Sequence, residues 1–222
     1  MTGNEPVVLV TGGSRRVGAA IVQRLHREGW RVAVHYRASQ PEAAALADQL
    51  NAIRPNSALT VAAELLEVAA LAPLVAHVVE HFGRLDALVN NASTYYATPI
   101  GDIAMQDWEA LMGSNLRAPL FLAQAAAPHL KASGGSIVNI TDIHTERPMP
   151  DYVVYNVAKA GLRGLTHALA RDLAPAVRVN AVAPGYTLSD GLKAKIAKGE
   201  RNPEAIQATT ALRRFVEPRD VA

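Results

Sequence analysis

The chain has 222 residues, 22 Lys and Arg against 20 Asp and Glu, and half of its residues are hydrophobic. That length suits one large α/β domain with a sizeable core, and the near balance of charge argues against a nucleic-acid binder working by bulk electrostatics. Cysteine is absent, which excludes disulfides, thiolate chemistry and cysteine-ligated metal sites.

Apolar runs of four to six residues alternate with longer amphipathic stretches. Runs at 7–10, 31–35, 59–62, 87–90, 137–141 and 177–182 predict six strands, and 17–28, 41–53, 67–82, 105–131 and 152–173 predict the helices between them. Strands without polar alternation are buried on both faces, so the pattern predicts an α/β fold with a doubly wound parallel sheet. Right-handed crossovers then place ligand sites at the carboxyl ends of the strands. No repeat or linker interrupts the pattern, and the expectation is a single domain over 1–222. Residues 186–211 predict one or two short helices on a mobile lobe. Pro218 in a first turn opens a further helix at 217–222, so an ending there reads as a truncation. The N-terminus enters a strand by Pro6 without the pattern of a signal peptide. No apolar run approaches the ~20 residues needed to cross a bilayer. The expectation is a cytoplasmic protein without membrane or nucleic-acid partners.

Between the first strand and the first helix lies Thr11-Gly12-Gly13-Ser14-Arg15-Arg16-Val17-Gly18. Gly12 lets the backbone turn sharply, and Gly18 allows close helix–strand packing. Amides at a helix start, with the positive end of its dipole, suit a pyrophosphate. The second strand runs into His35-Tyr36-Arg37-Ala38-Ser39, with no acidic residue to hold a ribose 2′-hydroxyl. Arg37 and Ser39, joined by Arg15 or Arg16, suit a 2′-phosphate, which makes NADPH the expected cofactor.

Tyr155 and Lys159 are four residues apart, one above the other on a helix face. Bringing a phenol of ordinary pKa about 10 near 7 takes ~4 kcal/mol of phenolate stabilisation, part of which an adjacent ammonium supplies. By itself this spacing is common on helices. Asp142 has two readings, a proton-handling carboxylate or the cap of a turn. The histidines His26, His77, His81, His129 and His167 are scattered and suggest no metal site; His144 reads as a loop residue, and Trp108 as packing or interface.

Taken together, Thr11-Gly12…Gly18, Asn90-Asn91-Ala92, Asn115, Tyr155…Lys159 and Pro184-Gly185 resemble the short-chain dehydrogenase/reductase family over nearly the whole chain. The resemblance implies a Rossmann-type sheet of order 3-2-1-4-5-6, with the usual seventh strand missing from this chain. It implies Tyr155 as proton donor, Lys159 lowering its pKa and binding the nicotinamide ribose, and Asn115 holding a relay water. Asn91 and Ala92 would line the adenosine-ribose side and Pro184-Gly185 the nicotinamide. A dimer or tetramer built on the helices at 105–131 and 152–173 is also implied.

Two departures narrow the likeness to the pteridine reductase branch. Arg16 replaces the usual middle glycine of the loop, and Asp142 replaces the serine usually found thirteen residues before the tyrosine. His35 to Ser39, the Ser93…Tyr95 pair and Thr141-Asp142…Glu146-Arg147 fit the same branch, the last resembling bacterial dihydromonapterin reductases. Glu64-Leu65 stands where Asp-Leu usually meets the adenine. The implied cofactor-binding set is Gly12, Ser14, Arg15, Arg16, Val17, His35, Tyr36, Arg37, Ser39, Glu64, Leu65, Asn91, Ala92, Ser93, Thr141, Tyr155, Lys159, Pro184 and Gly185. The implied substrate set is Arg16, Ser93, Tyr95, Asp142 and Tyr155, with Tyr95 stacking on a pterin, and the catalytic set is Asp142, Tyr155, Lys159 and Asn115. The resulting expectation is NADPH-dependent reduction of a dihydropterin, with dihydrofolate a further candidate. The alternatives are an NADPH-dependent ketoreductase of the same family and a non-catalytic NADPH-binding sensor.

Overall fold

The computed structural model describes residues 5–188 and 190–222. Six strands, β1 (Val7–Val10), β2 (Arg31–Tyr36), β3 (Ala58–Ala62), β4 (Ala87–Asn90), β5 (Ser136–Ile140) and β6 (Arg178–Val182), form one sheet in the order β3-β2-β1-β4-β5-β6. Every pairing is parallel, giving the Rossmann-type doubly wound sheet expected from the sequence. Among the described residues no helix is long and apolar enough to cross a membrane.

The central strand shows why an unalternating apolar run takes this place. Val7 and Leu9 pack in the layer under α3 (Val68–Phe82) and α5 (Ala118–Ser133). Val8 and Val10 pack in the opposite layer, under α1 (Arg16–Arg27) and α2 (Gln40–Ile53). Side chains of a strand alternate between faces, so a strand covered on both sides must be apolar throughout. Full burial of each such side chain contributes roughly 1.5–3 kcal/mol before chain entropy is counted. The chain leaves β3 at one edge and returns to β4 beside β1. The ends of β1 and β4 therefore mark the switch point where a crevice opens.

Where the periodicity predicts one helix over 105–131, the structure has α4 (Met105–Met112), a π-turn at Gly113–Arg117, and α5. Pro119 has no N–H to donate to the carbonyl of Asn115, four residues back. The ladder shifts to the wider π spacing, with the amide of Ala118 on the carbonyl of Gly113. Asn115 sits in this turn and is fully buried.

The helix α6 (Val153–Asp172) is fastened to the sheet by a chain of buried polar groups. Asn90 Nδ2 donates to Asn139 Oδ1 (2.8 Å), Asn139 Nδ2 to Thr166 Oγ1 (2.9 Å), and the Thr166 hydroxyl to the Leu162 carbonyl (2.8 Å). Apart from Asn90 Oδ1, which has no partner among the described residues, these groups satisfy one another, and linked polar groups in a low-dielectric core favour a single packing. They set the depth of the helix that carries Tyr155 and Lys159. Beyond it the chain forms α7 (Asp190–Ala197), α8 (Pro203–Ala208) and α9 (Pro218–Val221), the last beginning where Pro218 predicts. The amide of Val216 bonds the Tyr186 carbonyl at 2.8 Å, returning the lobe to the main body.

At Gly18 the first helix approaches the β1 loop most closely. A Cβ there would stand 2.1 Å from the Gly12 carbonyl oxygen and 2.7 Å from Asn91 Nδ2. Gly18→Ala is expected to destabilise the protein by about 3 kcal/mol, the upper end of overpacking costs, read from the denaturant midpoint. A loss under about 0.5 kcal/mol would show that the loop yields freely.

Candidate active site

The loop after β1 is built from backbone. Gly12 has φ +59, and a Cβ on it would lie 3.1 Å from Ala92 Cα. Thr11 Oγ1 accepts the amides of Asn91 (2.9 Å) and Ala92 (3.0 Å), while Asn91 Nδ2 donates to the carbonyls of Thr11 (2.9 Å) and Gly12 (3.1 Å). The Thr11-Gly12 and Asn90-Asn91-Ala92 motifs are thus two halves of one staple, and the side chain of Asn91 is spent on it. Arg16 has φ +51, a left-handed backbone that costs a non-glycine residue roughly 1–2 kcal/mol. The glycine usual at this position would adopt it freely.

A cleft of ≈ 930 Å³ runs along this loop. Gly12, Ser14, Arg15, Arg16 and Val17 line one wall, and Tyr36, Arg37, Ser39, Glu64 and Leu65 line another. Asn91, Ala92 and Ser93 line its floor. The Ser14 and Ser39 hydroxyls lie 2.6 Å apart, Arg15 pairs with Glu42, and Arg37 faces the Glu64 carboxylate at 3.9 Å. Glu64 also accepts the Leu66 amide at 3.0 Å, so its carboxylate is engaged with Arg37 and with its own turn. Thr187, Lys193, Arg214 and Phe215 complete the cleft from the far side. No spacing in the sequence signals these four; they arrive because the chain folds back through the Tyr186–Val216 contact.

Other expected positions are taken up by the chain itself or lie outside this cleft. His35 borders the cleft but is 2% exposed, and both ring nitrogens are taken by backbone: Gly12 N–H at 3.0 Å and the Ala63 carbonyl at 3.1 Å. It holds the loop and leaves no ring nitrogen for a ligand. His144 is a buried residue, its Nδ1 at 3.0 Å from the Arg147 carbonyl and its ring edge-on to Tyr186. Pro184 and Gly185 line a neighbouring cavity of ≈ 300 Å³ with Tyr186 and Val216. Thr141 is buried too, and its hydroxyl donates to the Val182 carbonyl (3.0 Å), tying β5 to β6.

Beyond Ser93 lies the polar cluster. Tyr155 and Lys159, almost completely buried, project from α6. The Tyr155 hydroxyl donates to Asp142 Oδ2 at 2.6 Å, and Asp142 Oδ1 accepts the His144 amide at 2.9 Å. One carboxylate oxygen thus meets the phenol while the other caps the turn. Lys159 Nζ donates to the Ile140 carbonyl at 2.8 Å and lies 5.9 Å from the centre of the Tyr155 ring. Asn115 Nδ2 donates to the carbonyls of Thr94 and Leu111 (both 2.9 Å), and its Oδ1 accepts the Ser93 hydroxyl at 2.7 Å. Tyr95 stacks on Tyr152 (4.8 Å between centroids, 19° between planes) and stands edge-on to Tyr155. It is 47% exposed, so the ring keeps open surface while Tyr152 supports it.

The electrostatics differ from the simple tyrosine–lysine expectation. Burial, and then the Asp142 carboxylate, raise the Tyr155 pKa above its ordinary value, while the Ser93 hydroxyl works in the other direction. Burial pushes the Lys159 ammonium down to about 8, opposed by Asp142. In the free protein the phenol is therefore held protonated, because a neutral O–H is what a neighbouring carboxylate favours.

The short chain dehydrogenase family model matches residues 6–200 of this chain. Pteridine reductase 1 of Leishmania tarentolae is 36% identical, over 90% of this chain and 86% of its own. A Streptomyces violaceoruber protein assigned as ketoacyl reductase 2 of granaticin polyketide synthase is 41% identical, over 98% of this chain and 86% of its own. The 3-oxoacyl-[acyl-carrier-protein] reductase of Staphylococcus aureus is 33% identical, over 96% and 86%. The chain belongs to the short-chain dehydrogenase family, oxidoreductases that use a nicotinamide dinucleotide.

Asp142→Asn removes the charge that opposes tyrosinate formation. Ultraviolet titration of the variant is expected to show one tyrosine ionising at lower pH than in the parent protein. Superimposable titrations would show that Asp142 does not govern Tyr155.

Proposed function

We propose that this short-chain dehydrogenase is an NADPH-dependent reductase of dihydropterins, with the pair Asp142–Tyr155 as the observation that carries the reading. A ketone takes up one proton at one oxygen, whereas a pterin C=N bond lies in a ring rich in basic nitrogens and amide edges. A carboxylate beside the phenol suits that second kind of substrate.

The dinucleotide half rests on the built loop and the cleft beside it. Gly12 and Gly18 let the loop and the start of α1 pack where a Cβ would collide, and the first amides of α1 lack intrahelical acceptors. Arg37, Ser39, Ser14 and Arg15 gather two guanidinium groups and two hydroxyls where a 2′-phosphate would sit. When bound, NADPH supplies the hydride.

The remaining chemistry belongs to the chain. Tyr155, already donating its proton at 2.6 Å from Asp142, gives it to a ring nitrogen. Lys159, charged below its pKa of about 8, stabilises the phenolate left behind. One hydride and one proton complete each C=N reduction. Where a fully oxidised pterin takes two rounds, each with its own NADPH, Asp142, with a water, handles the proton at the second ring nitrogen. Asn115 holds Ser93 through their 2.7 Å hydrogen bond. Ser93 and Arg16 meet the polar edge of the heterocycle, and Tyr95, backed by Tyr152, offers its exposed face for stacking. The strained backbone of Arg16 supports a binding role, since strain persists where the side chain is needed. The reading includes self-association: Trp108, Leu120 and Val157 expose large apolar surface on α4, α5 and α6.

The second reading, ketone reduction, is favoured by the names of two of the relatives. NADPH oxidation with dihydrobiopterin, dihydromonapterin, dihydrofolate and a 3-oxoacyl thioester separates the two. Turnover is expected with a dihydropterin, and the absence of turnover with every pterin removes the first reading. Asp142→Ala is expected to lower pterin turnover by ~10²-fold or more, the usual weight of a positioned proton donor. Unchanged turnover in that variant would sink the role given to Asp142. Arg37→Ala should weaken NADPH binding by roughly 10–100-fold while changing NADH little, the weight of a charged hydrogen bond. For kcat/KM a descending limb is expected near pH 8, where Lys159 loses its proton.

A further inference from the structure

Among the buried titratable groups of the described residues, His35 is the one joined directly to the phosphate loop. Its Nδ1 meets the Gly12 amide at 3.0 Å, and its Nε2 meets the Ala63 carbonyl at 3.1 Å. An amide can only donate and a carbonyl can only accept. The partners therefore fix the tautomer: Nδ1 carries the lone pair and Nε2 the hydrogen. The Gly13 amide also bonds the His35 carbonyl at 2.9 Å, so side chain and backbone of this residue hold two successive loop residues.

We propose that His35 is a positioning residue for the dinucleotide, holding the phosphate loop through its unprotonated Nδ1 and releasing the loop on acidification. A second ring proton would place an N–H against the Gly12 N–H. Gly12 cannot turn aside to relieve that opposition. Its carbonyl is held by Asn91 at 3.1 Å, and Ala92 Cα stands 3.1 Å from where its Cβ would be. The loop itself must shift, and with it the first turn of α1 at the cleft. Burial lowers the His35 pKa, while the Ala63 carbonyl and the Glu64 carboxylate work the other way. Arg15 and Arg16 on the loop and Arg37 beyond β2 border the same cleft as His35 and add positive charge there. The loop contact is thus intact at neutral pH and lost as pH falls below the ordinary histidine value of about 6.5.

The proposal rests only on the dinucleotide part of the reading above, since the loop serves the pyrophosphate common to NADPH and NADH. The test measures dissociation constants of both nucleotides by fluorescence at pH 7.5 and 5.5. The proteins compared are the parent chain, His35→Asn and His35→Leu, with thermal unfolding recorded for each. Asn places an uncharged oxygen where Nδ1 was and keeps the acceptor for Gly12, whereas Leu removes it. At pH 7.5, His35→Leu is expected to bind tenfold or more weakly than the parent chain and His35→Asn within about threefold of it. Between pH 7.5 and 5.5 the parent chain should lose several-fold more affinity than His35→Asn. Protonation of the 2′-phosphate affects both proteins equally and cancels in that ratio. Parallel losses in the parent chain and His35→Asn would overturn the proposal, as would parent-like binding by His35→Leu. If His35→Leu does not fold, the comparison with His35→Asn decides alone. Tight binding of NADH and none of NADPH would sink the cofactor choice and leave the His35 comparison intact.

Discussion

The carboxyl end of the sheet depends on one close approach, the contact of α1 with the β1 loop where Gly18 meets the Gly12 carbonyl. A side chain at Gly18 would collide with backbone, so the helix can start where it does only because none is present. That start brings the first turn of α1 to the cleft. Thr11 and Asn91 then bind the loop to the end of β4. The crevice is a rigid consequence of backbone packing at the switch point of the sheet.

A second constraint acts across the cleft. Asn139 and Thr166 hold α6 against the sheet, and Lys159 is anchored on the Ile140 carbonyl. Tyr155 is thereby delivered to Asp142 at the end of β5. In this arrangement the carboxylate has more influence on the phenol than the ammonium does, because it touches the hydroxyl while the lysine donates to the Ile140 carbonyl. Removing solvent strengthens each of these effects, since charge is screened less in a buried site.

The alternation of short apolar runs with amphipathic stretches made the parallel sheet legible in the sequence, because a strand like β1, buried on both faces, has no freedom to alternate. Tyr155 and Lys159 were legible because four-residue spacing on a helix is a geometric fact. Other features were not. The helical period passes across 113–117 without a break, and only Pro119 hints that the ladder fails there. His35 and Arg37 are two apart on a strand running into a loop, and sequence does not say that one turns inward to the loop amides while the other stays at the cleft. The burial of His144 and the lining supplied by Lys193 and Arg214 depend on how the chain returns from the lobe, which no local pattern encodes.

The left-handed backbone of Arg16 gives this position a direction under mutation. One base change separates arginine and glycine codons, and glycine would remove the strain of roughly 1–2 kcal/mol. Drift at that codon therefore runs downhill in stability toward glycine. A lineage that keeps arginine here does so against that slope, and one that takes glycine gains backbone ease as it loses a cation from the cleft.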